Sequence, residues 1–83
     1  MVSVVTSAEE AEEIVKQWLS RKFERRLRKT RVTHISLSEA LWNVEAEVEI
    51  TSGLLSTTRQ KVSLKVDSNS AKIVSYTETE IKD

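Results

Sequence analysis

Nine consecutive residues, Trp42-Asn43-Val44-Glu45-Ala46-Glu47-Val48-Glu49-Ile50, alternate apolar and polar without a break. Trp42, Val44, Ala46, Val48 and Ile50 fall on one side, and Asn43, Glu45, Glu47 and Glu49 on the other. A period of two over this length specifies a strand with one buried and one wet face. Such a strand needs neighbours to pair its edges and a second layer to cover its apolar side, so the rest of the chain is read by what it supplies to it.

The covering layer lies upstream. Ala11, Ile14, Val15, Trp18, Leu19, Phe23 and Leu27 recur at steps of three and four, the spacing of one helical face. The helix is expected over about Ala8 to Lys29, with Ser7 as N-cap and Glu10 at the capping-box position. Thr6 offers the same box one residue earlier. The series Val15-Leu19-Phe23-Leu27 advances only in fours, which carries the stripe about 40° around the helix at each step and suits a helix lying obliquely on a twisted sheet. Val2, Val4 and Val5 form either a short strand or a cover for the helix start. Charge is polarised along the segment: Glu9, Glu10, Glu12 and Glu13 open it, and basic residues dominate from Lys16 onward. The helix dipole favours that order.

The pairing strands lie around the alternating segment. Arg31 to Glu39 reads as a strand with Thr33, Ile35 and Leu37 on one face and Val32, His34 and Ser36 on the other. Arg59 to Asp67 follows the turn at Ser52-Gly53, with Val62, Leu64 and Val66 inward and Lys61, Ser63 and Lys65 outward. Lys72 to Ile81 closes the chain, with Val74 and Tyr76 inward and Ile73 outside. Glu45, Glu47 and Glu49 are expected opposite Arg59, Lys61 and Lys65, since opposite charges across neighbouring strands favour pairing. The connections are too short for parallel crossovers. The expectation is a single α+β domain over residues 1–83, one amphipathic helix packed on a four-stranded antiparallel meander in two layers.

Composition narrows the function. Eighty-three residues with 39% hydrophobic and 31% charged content make one folded domain with a modest core. The chain lacks Cys, so it offers no disulfide or thiolate chemistry. No apolar run is long enough to span a membrane. Met1 to Ser7 has no positive charge and no extended apolar stretch, so a leader is not expected and a cytoplasmic setting is. High charge with few amides fits a thermophile's chain.

Each chemically suggestive feature has a plainer explanation. The densest is Lys22 to Arg31, six basic residues in ten. With Arg21 it makes a candidate nucleic-acid surface of Arg21, Lys22, Arg25, Arg26, Arg28, Lys29 and Arg31 at the basic C-terminal end of the helix. Against that, the formal net charge is zero, residues 32–83 sum to −3, and no aromatic residue stands free to stack on bases. A solvated helix face with dipole-matched charge explains the run more simply. Glu45, Glu47 and Glu49 share a wet strand face, where no carboxyl is set apart for acid–base work. His34 is the lone histidine, and a metal site would have to be completed by carboxylates alone. The single Gly rules out a glycine-rich phosphate loop. No catalytic residue, cofactor, metal or small-molecule substrate is expected. Trp18 and Trp42 read as core residues. Leu54 and Leu55, beside Gly53, put two large apolar side chains near a hairpin tip, where either a partner, a second copy of the chain or a membrane surface would meet them or one leucine folds under to close the end of the core.

After the helix come Trp42-Asn43-Val44-Glu45-Ala46-Glu47-Val48, a polar loop, and Lys61-Val62-Ser63-Leu64-Lys65-Val66-Asp67-Ser68-Asn69-Ser70-Ala71-Lys72-Ile73-Val74. This succession resembles the PepSY-type and cystatin-like domains, in which a strand, an Asp, a polar turn, Gly-Lys and a strand close a meander. Ala71 stands where that pattern has Gly. The Trp42 strand and the final hairpin are also similar to the gas-vesicle accessory protein O family, whose basic-aromatic ending is replaced here by acidic Tyr76-Thr77-Glu78-Thr79-Glu80. The resemblance implies a non-enzymatic module that binds or modulates another protein, and it carries over no functional residue.

Overall fold

A computed structural model describes residues 4–54 and 56–81. Helix α1 (Ala8–Phe23) is followed by a 3-10 turn (Glu24–Arg26) and by strands β1 (Leu27–Ser38), β2 (Leu41–Thr51), β3 (Thr57–Asp67) and β4 (Ile73–Glu80). The strands form one antiparallel sheet in the order β1-β2-β3-β4, with α1 packed on one face. This is the α+β helix-on-meander architecture expected.

Ser7 caps the helix, its hydroxyl accepting from the Glu10 amide at 3.2 Å, while Thr6 donates its hydroxyl to the Glu10 carboxylate at 2.8 Å. The segment before the cap is tied to the β3–β4 turn: the amides of Val4 and Val5 both donate to the Ser68 carbonyl, and Val5 is buried.

β2 buries every second side chain from Trp42 to Ile50. Those residues meet Val62, Leu64 and Val66 of β3 and Ala11, Val15, Leu19 and Phe23 of the helix in one core. The Trp42 indole N–H donates to the Val5 carbonyl at 3.1 Å, so the one polar atom of that buried ring is paired.

Three local expectations are corrected. The helix ends at Phe23, not Lys29. Glu24 takes a positive φ of 51°, and the chain re-enters the sheet at Leu27. Leu27 fits the helical stripe by spacing but reaches the core as a strand residue opposite Ile50. Second, a register shift between Val32 and His34 resets the inner face of β1. Val32 and Ile35, assigned to opposite faces by strict alternation, therefore both pack on the core. Third, a shift at Lys65/Val66 does the same to β4: Ile73 pairs with Val66 and packs inward, while Val74 is 55% exposed. Tyr76 faces inward as expected.

The turns place non-glycine residues at positive φ. Glu39 and Ala40 join β1 to β2 at φ 48° and 65°, and Ala71 leads into β4 at φ 60°.

Candidate contact surfaces

The open face of the sheet is a lattice of alternating charge. The register sets Lys29 against Glu49 and Arg31 against Glu47, and on the other side Glu49 against Arg59 and Glu47 against Lys61. Arg31 Nη2 lies 2.9 Å from Glu47 Oε2. Two of the expected pairings are thus present, while Lys65 faces Asn43 and Glu45 faces Ser63. The acidic strand is flanked by bases on both sides, which satisfies it as a wet face rather than marking it as a catalytic cluster.

His34 lies on this face in one row with Glu45 and Ser63. The row puts the carboxylate between imidazole and hydroxyl. A nucleophile relay needs the imidazole in the middle; here two strand spacings, about 10 Å, separate His34 from Ser63. Among the described residues no group of three or more His, Asp or Glu side chains is arranged to hold a metal ion.

The seven candidate nucleic-acid residues are all exposed, but they do not share one helical surface. Arg21 and Lys22 belong to α1, Arg25 and Arg26 to the 3-10 turn, and Arg28, Lys29 and Arg31 to β1. Lys29 and Arg31 stand among the glutamates of the open sheet face. Lys22 and Arg26 turn back over the Phe23 ring, at 5.8 and 5.9 Å from its centroid. The run read as one basic helix end is divided among three elements because the helix stops at Phe23.

Leu54 is 99% exposed at the tip of the β2–β3 hairpin, next to Gly53 at φ 88°. Leu55 lies outside the described residues.

A further surface escaped the sequence reading. The helix packs mainly over β1 and β2 and touches β3 less. The inner side of β4 is only partly covered, leaving a groove of about 440 Å³ bordered by Ile14, Trp18, Arg21, Ala71, Lys72 and Ile73. Trp18 is half-buried here rather than a core residue. Its ring lies 4.8 Å from that of Tyr76, inclined at 47°, with the Lys22 ammonium 5.0 Å from the Tyr76 centroid and 5.8 Å from that of Trp18. The Tyr76 hydroxyl donates to Glu78 Oε2 at 2.6 Å. Burial, then this hydrogen bond and the carboxylate charge, push the phenol well above the ordinary tyrosine range. The signal available in the sequence was the Ile14-Trp18 step of four on the flank of the buried stripe.

Compared with protein-family models, curated proteins and solved structures, the chain gives no match. No helix among the described residues is long and apolar enough to cross a membrane.

Proposed function

We propose that this chain is a non-enzymatic contact module that acts by binding another protein or a second copy of itself, in a cytoplasmic setting consistent with its lack of cysteine. The observation that carries the reading is Leu54, a large apolar side chain held almost wholly in water at a hairpin tip. Water-exposed leucine gains free energy when a partner covers it, by about 25 cal/mol for each Å² removed from solvent. The PepSY-type and cystatin-like likeness belongs to the same proposal, since such domains work by binding. The division of the basic residues among three elements favours this reading over nucleic-acid recognition, which calls for a continuous basic surface.

The test is light scattering on a size-exclusion column, with wild type and the Leu54→Ser/Leu55→Ser variant. A contact through the Leu54 tip expects a wild-type assembly that the variant reduces to a folded monomer; an assembly that survives the substitution keeps the contact-module reading and moves the site elsewhere on the surface. A wild-type monomer unchanged by the substitution, together with a salt-sensitive DNA or RNA shift lost on Arg25→Glu/Arg28→Glu, would overturn it in favour of nucleic-acid binding.

A further inference from the structure

The β4-side flank of α1 is a ladder in steps of four: Glu10, Ile14, Trp18, Lys22. A second ladder runs just outside it: Glu13, Gln17, Arg21. Each passes from acid through an uncharged centre to base. Ile14 and Trp18 are half-buried and the charged ends are exposed. The partly covered Ile73 lies beside them in the groove.

This pattern complements itself in one orientation. Set against a second copy running antiparallel, Glu10 meets the copy's Lys22, Glu13 meets its Arg21, Ile14 meets its Trp18, and Gln17 meets Gln17 at the two-fold axis. Every pairing except the last occurs twice, as an isologous contact requires. A parallel arrangement would oppose Glu10 to Glu10 and Lys22 to Lys22. The local partners of these residues are compatible with docking. Glu13 accepts from Gln17 at 3.2 Å along its own helix, Glu10 from Thr6, and Lys22 rests on aromatic faces. None of the four charged groups is sequestered in the core.

We propose that this flank is a homodimer interface, formed by antiparallel packing of the α1 helices of two copies through Glu10, Glu13, Ile14, Trp18, Arg21 and Lys22. The inference rests on the contact-module reading, and it names the partner as a second copy and the site as the helix flank rather than the Leu54 tip. The apolar centre is small and the charged ends are exposed, so the dimer is weak and loosens as salt screens its ion pairs.

Sedimentation equilibrium on the full chain tests it with two charge reversals, Glu10→Lys/Glu13→Lys and Arg21→Glu/Lys22→Glu, each checked for folding by circular dichroism. Wild type is expected to dimerise by about 100 µM, and each reversal alone to weaken the dimer at least about tenfold through like-charge opposition. An equimolar mixture of the two variants makes all four pairings complementary again, so it should recover a heterodimer of near wild-type affinity. This recovery also answers the objection that a reversal merely damages the fold. A wild type monomeric up to about 1 mM, reversals that dimerise as well as wild type, or a mixture of folded variants that stays monomeric would each overturn the inference. A dimer lost only on Leu54→Ser/Leu55→Ser would overturn it while leaving the contact-module reading standing.

Discussion

The two flanks of α1 border the same sheet and differ in how they end. On the β1 side the helix meets Val32 and Ile35, which the bulge in β1 turns onto the inner face. On the β4 side it meets Ile73 and Tyr76 across a groove that it does not fill. Val32 and Ile35 are half-buried, as Ile73 and Tyr76 are, but the β4 side adds a groove, a pair of packed rings and exposed charge. One 16-residue helix cannot cover four strands, because helices pack about 8–10 Å apart while four strands span about 14 Å between outer axes. Where the helix sits therefore decides which strand is left open.

Truncation breaks this comparison most strongly. Leu19 is fully buried between helix and sheet. Leu19→Ala is expected to cost about 2–4 kcal/mol, whereas Ile14→Ala, on the open flank, should cost about half as much or less because water already reaches it. Urea denaturation at a protein concentration low enough to keep the chain monomeric compares the two, and equal losses would mean that Ile14 is as well buried as Leu19 and its flank is not open.

Alkaline titration probes the open flank separately. Tyr76 is the only tyrosine, so its ionisation is read directly from ultraviolet absorbance. Its phenol is held protonated by burial and by Glu78. A proton bound more tightly in the folded chain stabilises the fold below the unfolded phenol's pKa of about 10, and that contribution is lost as pH rises from there through the folded value. The folded chain should therefore ionise above the ordinary tyrosine range and lose stability as pH climbs past about 10. A midpoint near that of free tyrosine would show Tyr76 to be solvated and its bond to Glu78 unformed. The smallest effect is expected at Ala71 on the groove wall, whose φ of 60° is unfavourable for any residue with a β-carbon. Ala71→Gly should raise stability by about 0.5–1 kcal/mol in thermal unfolding; a loss would mean that the alanine methyl contributes more by packing than its conformation costs.

The alternation from Trp42 to Ile50 displayed β2 in full, because a strand paired on both sides keeps strict parity and needs no special backbone. Ser7 and the stripe from Ala11 to Phe23 displayed the helix just as directly. The edge strands did not read so cleanly. A bulge shifts the parity of everything beyond it, and the Val32–His34 segment contains no glycine or proline to mark the place. The helix end was obscured because Leu27 suits either periodicity; only its pairing with Ile50, and that of Lys29 with Glu49, assigns it to a strand. Of the surfaces, Leu54 was legible as a large apolar residue at a hairpin tip. The flank ladder was present in the sequence, but Ile14 and Trp18 read as part of the buried stripe, since local spacing does not reveal how far the helix sits from β4.

The most direct test of the open flank is acrylamide quenching of tryptophan fluorescence as a function of protein concentration, in chains carrying one indole each. Trp42→Phe leaves only Trp18, and Trp18→Phe leaves only Trp42. The account predicts that Trp18 is readily quenched in dilute protein and becomes protected as concentration rises into the dimer range, while Trp42, buried against Val5, is weakly quenched throughout. Trp18 as protected as Trp42 in dilute protein would contradict the open flank. Trp18 quenching that does not change with concentration would contradict its use as the dimer surface.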